Sequence, residues 1–123
     1  MAIPNHKPLF DFVVLHILHH ASERSLYGLW MIEELAEHGY KLNASQLYPR
    51  FHRLQRRGYL KRRDQVVDGK LRKYYRITPA GRTYLREQKR RLMELISEAL
   101  SVGELSRALD SRRKREEAKR LSD

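Results

Sequence analysis

Asp68-Gly69 sits between two runs of strand-forming residues, YLKRRDQVV and KLRKYYRIT, and it restricts the fold more than any other feature of the chain. A two-residue Asp-Gly turn takes up left-handed backbone at both positions, and its twist matches an antiparallel pair of strands. Residues 59–78 are therefore predicted to be a β-hairpin. The rest of the clearly periodic sequence is helical.

PLFDFVVLHILHHA (8–21) is apolar nearly all round, with Pro8 suited to a helix start. A helix this apolar must be covered on more than one side. A 123-residue chain has little material to do so, and part of that surface is expected to meet a second copy. SLYGLWMIEELAEHG (25–39) places Leu29, Ile32, Leu35 and Ala36 on one face, with Ser25 as a cap and Gly39 as a stop. Glu33, Glu34, Glu37 and Trp30 fall on the opposite face. NASQLYPRFHRLQRRG (43–58) reads as a third helix. Asn43 and Gln46 have capping-box spacing, Leu47, Phe51 and Leu54 point inward, and Gly58 ends it. Pro49 lies inside this helix and removes one backbone donor, which predicts an irregular or 3₁₀-like first turn.

After the hairpin, Thr78 and Pro79 start a long fourth helix to about Leu100. Its stripe of Leu85, Leu92, Leu95, Ile96 and Ala99 resembles a heptad seam. Gly103 marks a break before a charged helix over 104–122. Three helices, a hairpin and a long helix describe a mainly α fold with a small β-hairpin (α+β). This is a winged helix-turn-helix over residues 1–78, followed by a C-terminal dimerisation helix and charged tail over 79–123.

Charge is distributed unevenly. Residues 1–49 hold three Lys/Arg and five Asp/Glu, residues 50–91 hold sixteen and three, and residues 92–123 hold seven of each. The middle block is thus net +13 and carries the whole excess of the +11 chain. A one-signed block on one folded unit points to a polyanion, and nucleic acid is the expected partner. The chain has no cysteine, which removes disulfides and thiolate metal sites and suits a reducing cytoplasm. No signal peptide and no membrane-spanning run are expected.

On a helical wheel the third helix turns Ser45, Gln46, Pro49, His52, Arg53 and Arg56 outward, with Tyr48 on its flank. Small polar groups in the first turn and arginines further along suit the major groove, where Ser45 and Gln46 face base edges and the free amides meet phosphate. Arg53 and Arg56 bind guanine or phosphate. Tyr48 either reaches a phosphate or packs on the hairpin. In the wing, Lys70, Arg72 and Lys73 surround the turn and suit the DNA backbone or minor groove, while Tyr75 and Ile77 face the core.

YGLWMIEEL, LYPRFHRLQRRGYL and above all KYYRITPAG resemble the PadR family of bacterial transcriptional regulators over roughly residues 9–100. The resemblance implies a dimeric winged-helix repressor on an inverted-repeat operator, with the first and last helices forming the dimer. The dimer positions are Phe12, Leu15, Leu85, Leu92, Leu95, Ile96 and Ala99. On the same precedent Ser45, Gln46, Tyr48, Pro49 and Arg53 read the groove, and Arg72 and Lys73 form the wing contact. Leu71 in the wing, Trp30 on the second helix and the short segment after the fourth helix depart from the common pattern, the last pointing to a compact branch.

Trp30 either packs on the fourth helix or tail, or offers a flat surface to a small planar effector at the dimer centre. His16, His19 and His20 share one helix at i, i+3, i+4, but no nearby carboxylate or further histidine completes a metal site in the sequence. No cofactor and no metal are expected. No nucleophile–base pair, phosphate loop or dinucleotide motif points to an enzyme. The rival readings are an RNA-binding or architectural winged helix using the same basic face without base readout, and a module that binds an acidic protein surface.

Overall fold

The computed structural model describes residues 11–122. The helix α1 (Phe12–Glu23) begins at Asp11, whose carboxylate accepts from the amide of Val14 at 2.7 Å. An oxygen acceptor at this position satisfies one of the free N–H groups of the first turn. Pro8, expected at the helix start, lies outside the described residues. Val13, Val14, Ile17, Leu18 and Ala21 of α1 are buried, whereas Phe12 is 55% exposed and Leu15 is half-buried.

Next comes a strand that the periodicity does not announce, β1 (Leu26–Tyr27). It pairs antiparallel with the second strand of the hairpin, Leu26 opposite Tyr75 and Tyr27 opposite Tyr74. This pairing displaces the predicted start of the second helix. α2 (Gly28–Glu37) begins after Tyr27, and Ser25 caps nothing. Its buried face is Gly28, Met31 and Leu35, so Leu29, expected inward, is 59% exposed.

α3 (Ala44–Arg56) opens on a complete capping box. Asn43 Oδ1 accepts from the Gln46 amide at 3.1 Å, and Gln46 Oε1 accepts from the Asn43 amide at 3.1 Å. The irregular first turn expected from Pro49 is not there: the helix is α-helical throughout Ala44–Arg56. Only the Ser45 carbonyl loses its donor four residues on, and Ser45 is exposed to water. Arg50 Nη1 donates to the Gln46 carbonyl at 2.7 Å and braces the same turn. Leu47, Phe51 and Leu54 are fully buried, as their spacing predicts. Gly58 closes the helix at φ +78°, with Gly58 N–H on the Gln55 carbonyl and Tyr59 N–H on the Leu54 carbonyl, both at 2.9 Å.

The hairpin forms as predicted. β2 (Leu60–Val67) and β3 (Lys70–Ile77) pair in register from Leu60–Ile77 to Val67–Lys70, with Asp68 and Gly69 at φ 52° and 76°. The sheet order is β1-β3-β2. Tyr75 and Ile77 enter the core, and Phe51 stacks on Tyr75 at 4.5 Å between ring centres, joining α3 to the sheet. α4 (Pro79–Ala99) starts at Thr78, whose hydroxyl accepts from the Gly81 amide at 3.0 Å and donates to the Gly58 carbonyl.

One compact unit ends at Gln88 and a second begins at Lys89. Within the first, Leu85 is only 4% exposed and belongs to the core of its own chain. Its place on the expected dimer stripe is corrected accordingly: the first turns of α4 are committed to holding the wing. In the second unit Leu92 and Ile96 are half-buried, while Leu95 and Ala99 are exposed. The break comes at Leu100–Ser101, earlier than Gly103, because Ser101 and Glu104 form a reciprocal cap that starts α5 (Val102–Ser122). Among the described residues no helix is long and apolar enough to cross a membrane.

Candidate nucleic-acid interface

Six of the seven recognition-helix residues, Ser45, Gln46, Pro49, His52, Arg53 and Arg56, line one shallow groove of about 680 Å³ along the outer face of α3. They share it because positions separated by three, four and seven residues fall on one face, and the buried stripe of Leu47, Phe51 and Leu54 fixes which face that is.

The chemistry of this face is more specific than its composition. Ser45 donates its hydroxyl to Asn43 Oδ1 at 2.6 Å. Because Gln46 Oε1 is engaged by the cap, its amide nitrogen is the free end and presents donors. Arg53 is half-buried at its base, and its Nε has no hydrogen-bond partner among the described residues, so no internal carboxylate neutralises it. His52 and Arg56 are exposed.

The basic block is not all available to a ligand. Arg50 Nε and Nη2 both donate to Asp11 Oδ2, at 3.1 and 3.0 Å. This ties the base of α3 to the cap of α1, so Asp11 and Arg50 are scaffold. Arg62 pairs with Asp64 at 3.0 Å. The first pair is not legible from spacing, since Asp11 and Arg50 are 39 residues apart in the chain.

Tyr48 leaves the groove. Its hydroxyl end packs directly over Gly28 at the start of α2, where a Cβ would lie 2.8 Å from the ring carbon Cζ. It faces a second, smaller recess of about 290 Å³ lined by Tyr27, Gly28, Leu29, Leu71, Arg72 and Lys73. Of the two readings of Tyr48, a phosphate contact or packing on the hairpin, its place beside the wing residues Leu71, Arg72 and Lys73 is common to both. In the wing, Lys70 and Lys73 are exposed. Arg72 lies over the Tyr27 ring at 4.3 Å, and Tyr27 meets Tyr74 edge-on at 5.5 Å. That stack presents the guanidinium at a fixed place beside α2.

Trp30 packs on α1 of its own chain. His20 meets it edge-on at 5.3 Å and Arg24 covers it at 5.0 Å. Glu34, on the face of α2 opposite the predicted core stripe, where solvation or pairing with arginines of the fourth helix is expected, is drawn between His20 Nε2 and His38 Nε2, 3.4 Å from each. Burial, the largest cause, holds His16 and His20 below the ordinary histidine value of 6.5.

The comparisons with known proteins agree with this geometry. The description "Transcriptional regulator PadR-like family" matches residues 17–87. Transcriptional regulator Rv3488 of Mycobacterium tuberculosis is 49% identical over 88 residues, covering 72% of this chain and 82% of that one. Among solved structures, a PadR family transcriptional regulator from Eggerthella lenta is 34% identical with a TM-score of 0.64, over 76% of this chain and 80% of its own. A PadR-like transcriptional regulator from Bacillus cereus is 26% identical with a TM-score of 0.64, over 70% of this chain and 85% of its own. These relatives are regulators and not enzymes, and the three-helix, three-strand unit of residues 11–88 is the winged helix-turn-helix they share. The chain belongs to the PadR-like family of transcriptional regulators.

Proposed function

We propose that the protein is a sequence-specific DNA-binding regulator that works as a homodimer on an inverted-repeat operator and represses transcription. The observation that carries this is the outer face of α3, where Ser45, Gln46, His52, Arg53 and Arg56 line one groove. A helix face of this kind places donors against base edges and cations against phosphate. Gln46, with its amide nitrogen outward, reads an acceptor such as guanine O6 or N7. Arg53 and Arg56 add charge along the same path. The wing adds Lys70, Arg72 and Lys73.

Dimerisation is supported by the exposure of large apolar side chains. Phe12 on α1 and Met93, Leu95, Leu105 and Leu109 further along are all more than a third exposed. Large apolar side chains left exposed on a helix favour a protein partner, and a second copy places two α3 helices about one turn of DNA apart.

The test is a binding comparison between a selected operator and random duplex. Gln46→Ala or Arg53→Ala should narrow the difference between the two, by about 1–3 kcal/mol per lost base contact. Arg72→Ala or Lys73→Ala should weaken both nearly equally. Equal loss on both duplexes for all four variants would favour an architectural role without base readout. Tighter binding to structured RNA than to any duplex would favour the RNA reading.

A further inference from the structure

The fold supplies the ligands that the sequence of α1 lacks. His16 and His20 lie one helical turn apart on one face of α1, and His38, just past the end of α2, comes to meet them. Each of the three imidazoles offers a ring nitrogen, and the three nitrogens lie within 4.8 Å of one another. Glu34 brings Oε1 to 3.4 Å from His20 Nε2 and 3.4 Å from His38 Nε2. We infer that His16, His20, His38 and Glu34 form a binding site for a divalent transition-metal ion of the zinc class, which fastens α1 to the C-terminal end of α2.

Four observations support the assignment. First, the spacing suits the ion. Ligand bonds of about 2.0–2.1 Å in a tetrahedral site set neighbouring ligand atoms about 3.3 Å apart. Glu34 already stands at that distance from two of the imidazoles, and the ring nitrogens, within 4.8 Å of one another, need to close by up to about 1.5 Å. Two histidines at i, i+4 on one helix are an established way to offer two such bonds. Second, the donor set is chosen. Three imidazoles and one carboxylate suit zinc, cobalt or nickel, and do not suit magnesium or calcium, which prefer oxygen.

Third, the site is sheltered. The His20 and Glu34 side chains are 13% and 15% exposed. His16 stacks on His38 at 4.9 Å and meets Tyr40 edge-on at 5.5 Å, so the rings are held in place. Fourth, His16 has no other evident use. The ring nitrogens of His16 have no hydrogen-bond partner among the described residues. An uncharged packing patch would be built at less cost from apolar rings. The other candidate group, His19, His20 and Glu23, is a surface arrangement, with His19 and Glu23 about half exposed.

Trp30, the only tryptophan in the chain, is a built-in reporter because His20 meets it at 5.3 Å. The experiment uses the full chain without any affinity tag, stripped with chelator. Zn²⁺ is titrated calorimetrically, and Co²⁺ is followed by its visible absorption and by quenching of Trp30. The expected result is one ion per chain, a tetrahedral cobalt spectrum, Trp30 quenching, and a melting temperature that rises with Zn²⁺. His16→Ala and His38→Ala should each abolish the spectrum. Glu34→Gln should weaken binding by about 10- to 100-fold. His19→Ala should leave all readouts unchanged.

Melting of each variant without metal separates loss of the site from loss of the fold. Absence of Zn²⁺ and Co²⁺ binding in the wild type overturns the proposal. So does binding that survives His38→Ala but is lost in His19→Ala, since that would place the ion on the exposed face of α1.

Discussion

Gly81→Ala should destabilise the protein although it improves helix propensity. Gly81 is the third residue of α4 and lies against the start of the wing. A Cβ at Gly81 would fall on the Tyr59 carbonyl oxygen, 3.0 Å from the carbonyl carbon and 2.7 Å from Ile77 Cγ1. Ordinary carbon contacts need about 3.5–4.0 Å, so α4 or the Tyr59 backbone must move by roughly an ångström. Neither moves freely. Thr78 N–H donates to the same Tyr59 carbonyl at 3.1 Å, and the Thr78 hydroxyl donates to the Gly58 carbonyl. Overpacking of this kind costs about 1–3 kcal/mol. Replacing glycine by alanine in a helix returns at most about 1 kcal/mol, and less in the first turn. The backbone clash wins, with a net loss of about 1–2 kcal/mol. For a unit of this size that lowers the melting temperature by roughly 5–15 °C. Circular dichroism melts at one fixed chain concentration measure it. An unchanged or raised melting temperature would show that the Tyr59–Gly81 contact does not fix the wing on α4.

Asp11→Ala should cost about 2 kcal/mol in urea denaturation, since it removes the α1 cap and leaves Arg50 without its carboxylate. Arg50→Ala should cost less, because the cap remains. Tyr75 is fully buried, and burial raises its hydroxyl above the ordinary 10.0, with the Arg62 charge opposing only in part. An ionisation raised in the folded state leaves stability intact below pH 10 and removes it as the pH rises further, so alkaline melts should steepen there. Tyr75→Phe should flatten that alkaline loss. It should also be neutral or stabilising at pH 7, because the hydroxyl has no hydrogen-bond partner among the described residues.

What the sequence announces are features carried by neighbours in the chain. The Asp68-Gly69 turn, the Asn43–Gln46 box, the stop at Gly58 and the Leu47–Phe51–Leu54 stripe all depend on spacings of a few residues, and each appears as read. What it conceals depends on distant partners. β1 is two residues long and exists because Tyr74 and Tyr75 offer it an edge. That edge shifts the start of α2 and turns Leu29 outward. Leu85 continues a heptad-like stripe in sequence, yet it is buried in the core of its own chain. His38 follows α2 and joins His16 and His20 only through the packing of two helices. Pro49 runs the other way: the helix stays regular around it because the exposed Ser45 carbonyl is satisfied by water. The groove face of α3 was legible because one periodicity sets both its buried and its outward residues. Tyr48 was not, because its placement depends on a glycine on another helix.

The central claim, that the outer face of α3 and the wing bind the DNA backbone and bases together, is tested most directly by the salt dependence of binding. Fluorescence anisotropy of a labelled duplex selected from random DNA gives the affinity at each salt concentration. Arg53, Arg56, Lys70 and Lys73 neutralising about four phosphates per chain predict a slope of log affinity against log salt of about −3 to −4 per chain. The slope should become shallower by about one for Lys73→Ala. A flat dependence, or one unchanged in that variant, would contradict the account.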